Sequence, residues 1–375
     1  MFLFISQVIS NRLQTEIDRY FTEIFKSESP IRFASSASFS KARNKIDSAA
    51  FKDVSDQLVE KYYNQHSYQK FYGYRILAVD GSVYTIPATA ETIEYFGDKV
   101  LSNRTEWIKA QSSHMSDVIN NVVVDHAVDA YKVSERCLAE QHLAKCKNDD
   151  ILLFDRGYWG YDFMEQVYET GAKFCFRVST AACKAVIDFI ENNEKDIDTI
   201  FKTKDHNIKI RLTKIKLKSG ETEYLLTNLT DRKLFSISRL KKLYHLRWGA
   251  EEQYKDMKYA LVIENFSGKK VNAILQDIHA KILIYNLTII SCKRIVDKEI
   301  KLKKRKYKYI LNKRSALSKV SEYFIKLITY GDKVFNLIIQ LLIKETVPVR
   351  PNRKRKRKPT FKVKPKPTRQ YLSVV

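Results

Sequence analysis

The chain has 375 residues, with 44% hydrophobic and 12% aromatic side chains, enough for two or three domains with a sizeable core. That composition excludes a disordered protein. FLFISQVIS, the first apolar run, is too short to cross a bilayer, has no preceding Lys or Arg and lacks a small-residue cleavage site, so neither a membrane span nor a secretory leader is expected. The formal charge is +24, but residues 301–320 hold nine Lys or Arg and residues 350–375 hold eleven, neither with an acid. A nearly balanced body thus ends in a strongly cationic segment. Such runs are often only solvated. Here there are two, and Tyr307 and Tyr309 interleave the first, which points to a polyanion bound by counterion release.

Residues 1–70 read as helices. SQVISNRLQTEIDRYFTEIF has helical apolar spacing, and Ser38 is a candidate cap for a short basic helix. Lys41, Arg43 and Lys45 fit a phosphate-facing surface and an ordinary solvated face equally well. At FYGYRILAVDGSVYTIP the pattern predicts a strand, a bend at Asp80-Gly81 and a second strand. NNVVVDHAVDAYKV reads as a strand and SERCLAEQHLAKC as a helix. DDILLFDRGYWG reads as a buried strand ending in a turn, YDFMEQVYETG as a helix and KFCFRVS as a strand. This βββαβα order predicts a mixed sheet with helices on its faces. Residues 177–232 predict an antiparallel insertion, with HNIKIRLTKIKL and ETEYLLTNL joined through Ser219-Gly220. Helix then runs from Ile237 to Val262. DIHAKILIYNLTIISCKRIV is a buried helix, residues 321–345 are helical, and the Pro- and Lys-rich stretch after Thr346 is a flexible tail. The five cysteines are an odd count without a CxxC pair, as expected of free thiols in a reducing cytoplasm.

YHLRWGAEEQYKDMK, residues 244–258, carries the chemistry. On an ideal helix, at about 100° per residue, Tyr244, Arg247, Glu251 and Lys258 fall within an arc of about 60°, beside the apolar stripe of Leu243, Leu246, Ala250, Met257 and Leu261. An i,i+4 salt bridge from Arg247 to Glu251 is the ordinary reading. It leaves Lys258 unexplained, whereas a line of Arg, Glu and Lys about two turns deep would suit a phosphate backbone lying across a metal-binding carboxylate. Asp80 alone is a turn residue by type, and Asp155 alone a helix cap. An Asp in the first sheet strand, an Asp ending a later buried strand and a Glu on a helix behind an insertion is the more telling order. Three carboxylates can hold two magnesium or manganese ions, which clamp the two oxygens of a phosphoryl transfer. Asp125 and Asp129 share a strand face and offer a second metal site, against the ordinary reading of exposed acids. No Gly-rich phosphate loop, GxSxG or zinc-spaced His cluster competes.

Tyr244, Arg247, Glu251 and Lys258 match the Y-x2-R-x3-E-x6-K signature of DDE transposases from the bacterial insertion-sequence family four. Residues 227–258 and 264–287, VDGS at Asp80, FDRGYWG at Asp155 and SASFSKARNKIDSAAF are similar to the corresponding family segments, so the resemblance covers roughly residues 35–290. It implies an RNase H-like α/β core at 71–300 with flanking helices, interrupted by a β-rich insertion at about 177–232. An N-terminal helical DNA-binding region at 1–70, a basic helical region at 301–346 and a tail at 347–375 complete the expected organisation. Asp80, Asp155 and Glu251 would bind two Mg2+ or Mn2+ ions, and Tyr244, Arg247 and Lys258 would contact DNA phosphates. Trp159 and Trp248 are candidates to stack on an unpaired base or to pack in the core. The implied partners are double-stranded DNA, as terminal inverted repeats and target, and a second protomer in a synaptic complex, with no membrane. The implied reaction is cut-and-paste transposition: water cleaves the transposon ends and the freed 3′-hydroxyl attacks the target. A structure-specific endonuclease or resolvase, or an inactive end-binding repressor, is the alternative. Gly249 and Ala250 are smaller than the pair expected there and predict looser packing.

Overall fold

The computed structural model describes residues 5, 12–97, 107–217, 219–302 and 306–350. Most of FLFISQVIS and the tail beyond Arg350 lie outside them. Three helices come first: α1 (Leu13–Ile24), α2 (Ser36–Arg43) and α3 (Ala49–Gln65). The α2 cap is Ser35, whose hydroxyl accepts from the Ser38 amide at 3.1 Å; Ser38 itself is the third helical residue.

The sheet begins with β1 (Arg75–Pro87), one unbroken strand of 13 residues. Asp80-Gly81 makes no bend, because both residues pair with β2 (Trp107–Asp117), Asp80 opposite His114 and Gly81 opposite Ser113. Tertiary pairing overrides the local turn signal of Asp-Gly. Helix α4 (Ala90–Phe96) follows β1, and β3 (Val122–Ala130) pairs antiparallel with β2. The predicted βββαβα order holds only in its count: two of the expected strands are one, and β2, with its run of polar residues, was not legible as a strand. Then come α5 (Glu135–His142), β4 (Asp150–Phe154), α6 (Tyr161–Glu169) and β5 (Lys173–Val178). β1, β4 and β5 are mutually parallel, so the first five strands run in the order β3-β2-β1-β4-β5 with an antiparallel hairpin at one edge. This is the RNase H-like arrangement.

The expected antiparallel insertion extends this sheet. After α7 (Lys184–Glu191), strands β6 (Asp196–Lys202), β7 (Asn207–Lys216) and β8 (Thr222–Thr227) continue it as β5-β8-β7-β6. Arg211 is only 1% exposed and anchors the addition through both Asp196 oxygens, at 2.6 and 2.8 Å. The chain returns through α8 (Ile237–His245) and α9 (Trp248–Tyr259) to α10 (Val271–Lys301). The single helix predicted from Ile237 to Val262 is broken at Leu246–Arg247. α10 is long and apolar enough to cross a membrane by length and composition, but its apolar residues pack into the protein. β9 (Lys308–Ile310), α11 (Lys313–Glu322), α12 (Phe324–Tyr330), α13 (Asp332–Lys344) and β10 (Val347–Val349) finish the described chain. All five cysteines are free thiols.

Asp125 and Asp129 do not form a second site. Asp125 is buried, bound to Lys52 and, at 2.8 Å, to His142, whose other ring nitrogen meets Ser113 at 3.0 Å. Asp129 accepts from the Ala130 amide. Around them lies a buried histidine group: His126 meets His279 at 2.6 Å, and His114 meets the Tyr84 hydroxyl at 3.2 Å. Burial pushes His114 down to about 3 and His279 to about 4, and holds His126 well below its usual value. The unfolded chain takes up these protons near pH 6.5, whereas the folded chain resists them. Burial raises Asp80 and Asp117, which act in the opposite sense. Three groups against two leave at least one excess proton bound by the unfolded state. Stability should therefore fall by roughly 1 kcal/mol per pH unit as the pH drops below ~6.5. Urea midpoints measured at pH 7.5, 6 and 5 test this, and an unchanged midpoint contradicts it.

Candidate active site

Strand alternation brings the two aspartates to one face. Ile76 and Ala78 of β1 and Ile151 and Leu153 of β4 pack together with Leu240 and Leu243 of α8 and Ala250 of α9. Asp80 and Asp155 continue those two alternating series, so both carboxylates emerge on the face that α8 and α9 cover. Asp155 is extended and caps a 3-10 turn, accepting from the Arg156 amide at 2.8 Å. Glu251 lies in the first turn of α9.

The break between α8 and α9 sets the rest of the geometry. It places Tyr244 and Arg247 on either side of a turn, so the single-helix arc describes them only approximately. Arg247 is 3% exposed and donates to Glu251 at 2.8 Å, the i,i+4 bridge expected of an ordinary helix. Asp155 and Asp80 also act on it electrostatically, without a direct bond to either. Tyr244 donates to the Phe154 carbonyl at 3.3 Å, just before Asp155. Lys258 donates to the Val83 carbonyl at 2.9 Å, three residues beyond Asp80. In this state both tie the helices to the strands that carry the aspartates. Gly249 does not loosen the packing: a Cβ there would come within 3.0 Å of Val118, and Ala250 is buried. The small pair lets α9 approach the sheet closely.

Trp248 is 49% exposed with the Arg247 guanidinium 5.3 Å from its ring, free to meet a planar ligand. Trp159 packs instead, with its indole N–H donating to the Ala182 carbonyl at 3.3 Å and Phe176 and Phe201 against its ring.

Three further residues were missed by sequence reasoning. Arg177 of β5 holds Asp155 at 2.6 Å and Glu223 at 3.2 Å. Tyr254 donates to the Asp80 carbonyl at 3.1 Å and stacks on His114. Glu135, at the start of α5, lies so close to Gly81 that a Cβ there would approach its carboxyl carbon to 2.5 Å. No motif marks Glu135; the glycine after Asp80 was the one available signal.

Burial, chiefly, pushes the Asp80 carboxyl up to about 7; Arg247 pulls it down, while Glu251 and Glu135 push it further up. Negative charge is thus crowded around Asp80, and the donors are all hard oxygens, a set that fits a small divalent cation. Among the described residues no three His, Cys, Asp or Glu side chains stand as a ready-made metal cage. Asp155 is engaged by Arg177 and Glu251 by Arg247, so those two ion pairs would have to open.

A family model described as the transposase DDE domain matches residues 71–287. The chain is 21% identical over 268 residues to transposase InsG for insertion sequence element IS4 of Escherichia coli strain K12. That match takes in 68% of this chain and 60% of the relative, so it spans less than two thirds of the curated protein. Among solved structures, a piggyBac transposase synaptic complex with hairpin DNA aligns with a TM-score of 0.46 at 10% identity, covering 94% of this chain and 76% of that one.

Proposed function

The chain belongs to the transposase DDE-domain family, and on that premise we propose that it moves a DNA element by cutting its ends and joining them to a target. The supporting observation is that Asp80, within β1, and Asp155, just past the end of β4, continue alternating series on the sheet face covered by α9, the helix that carries Glu251. Asp80, Asp155 and Glu251 are the proposed ligands of two Mg2+ or Mn2+ ions. Those ions, when bound, would polarise the attacking and leaving oxygens of a phosphodiester. Arg247, released from Glu251, is placed to neutralise the phosphate under attack. Tyr244 and Lys258 hold the two aspartate-bearing strands against α8 and α9 and are the proposed contacts to neighbouring phosphates. Trp248 offers an exposed ring for a base displaced from the helix.

In the first step water attacks the phosphodiester at the element's end. The P–O bond to the 3′-oxygen breaks, and that oxygen leaves as a free 3′-hydroxyl. In the second step that hydroxyl attacks a target phosphodiester and displaces the target's 3′-oxygen. Residues 1–70 are proposed to recognise the terminal inverted repeats, 71–300 to carry the chemistry, and 301–346 with the tail at 347–375 to add basic contacts. Two protomers would pair the ends. Incubating the full chain with inverted-repeat DNA, a supercoiled target and Mg2+ should give end cleavage followed by joined products. Cleavage without joining identifies an endonuclease instead, and end binding without cleavage a repressor.

A further inference from the structure

A groove of ≈ 380 Å³ opens between the C-terminal end of α3 and the second half of α10, well away from the aspartates. Its floor is the β2–β3 turn. Val122 pairs with Asp117, and Asp117 with Leu77, so the floor lies two strands across and three residues down from Asp80, roughly 14 Å away. One wall presents Lys293, Arg294, Lys298 and Lys301 from successive turns of α10, against a single acid, Asp297. The other wall is lined by Tyr62 and Tyr68, with Asn120 at the base.

The groove is built from held parts. The Asn120 side chain is clamped to the Gln69 backbone in both directions, at 3.0 Å each. Tyr68 meets Tyr63 edge to face at 4.8 Å, with Lys70 over its ring. Arg294 contacts His66 at 3.2 Å. Lys301 is both the last groove residue and, in sequence, the first residue of the acid-free run 301–320.

We propose that this groove grips the phosphate backbone of duplex DNA, as a second binding surface separate from the catalytic residues. The proposal deepens the transposase reading by locating where the duplex is held while its end is cut. Cations spaced at i, i+4 and i+7 along about 10 Å of helix suit closely spaced phosphates; such interactions fix register without reading sequence.

The test uses the full chain and a labelled 30-base-pair duplex of arbitrary sequence, with affinity read by anisotropy over a series of KCl concentrations. Arg294→Gln/Lys298→Gln should flatten the log K against log salt slope by about 2, at ~0.9 for each phosphate no longer neutralised. Arg294→Glu/Lys298→Glu should also weaken binding at least tenfold at low salt. Asp80→Asn should leave the slope unchanged. A wild-type slope in both double variants, with their thermal melts intact, overturns the proposal. So does equal competition by a polyglutamate of matched charge, which would make the groove a protein-docking surface. Absence of end cleavage by the wild-type chain, with the slope effect of the double variants present, would count against the transposase reading alone.

Discussion

Asp80→Asn should lower Mg2+-dependent end cleavage by about a thousandfold, ~4 kcal/mol in barrier height, while leaving DNA affinity in the absence of metal unchanged. The same substitution should raise the melting temperature at pH 8. Burial pushes the Asp80 carboxyl up to about 7, and Glu251 and Glu135 push it further up against the pull of Arg247. Above that pH the folded protein carries a charge there that the unfolded chain bears more easily in water. Asn keeps the shape and removes the charge, so the fold gains what the chemistry loses. This opposition between stability and activity is expected of a site assembled to hold a ligand rather than itself. Cleavage assays and melts on the same preparation read both halves. A variant that cuts at the wild-type rate removes Asp80 from the mechanism. One that loses activity together with its fold shows that the crowding around Asp80 is structural.

The catalytic segments were legible because they are short and locally patterned. ILAV and DILLF are apolar runs of strand length, and an acid at the end of each stands out. Their convergence was not legible from either run. It follows from parallel pairing of β1 with β4, Ala78 beside Leu153, which puts Asp80 and Asp155 on one face. The missed strand β2 shows what hides a central strand. KAQSSHMSD is polar by composition, yet its Gln, Ser, His and Asp side chains are buried and several are bonded to neighbouring elements. A period-two hydrophobic pattern cannot report a strand whose interior partners are hydrogen-bonded. The break before Trp248 was hidden for a different reason. No Gly or Pro precedes it, and both helices keep helical apolar spacing, so only packing shows the change in direction.

Arg43 carries the clearest divergence between sequence and structure, and the largest expected stability effect. Beside Lys41 and Lys45 it could be read as one of three cations facing DNA, but only its two neighbours are exposed. Arg43 is 3% exposed and links α2 to the start of α10. It donates to Gln276 at 2.6 Å, to the Ala273 carbonyl at 2.7 Å and to Asp277 at 2.7 Å. Asp277 in turn accepts from the Ser267 amide at 2.7 Å, which fixes the connection between α9 and α10. A buried arginine satisfied on this many sides leaves a buried carboxylate and several acceptors unmatched when it is removed. Arg43→Ala should therefore cost about 3–5 kcal/mol, a large share of the roughly 5–15 kcal/mol that holds a domain together. Lys41→Ala and Lys45→Ala should each cost under about 0.5 kcal/mol. Replacing Arg43 and Asp277 together, by Met and Leu, should recover much of the loss, since the charge left behind is what makes the single change severe. Urea unfolding of the four variants reads these differences directly. If Arg43→Ala unfolds like the wild type but binds DNA more weakly, the side chain leaves its pocket in solution and the three-cation surface is restored.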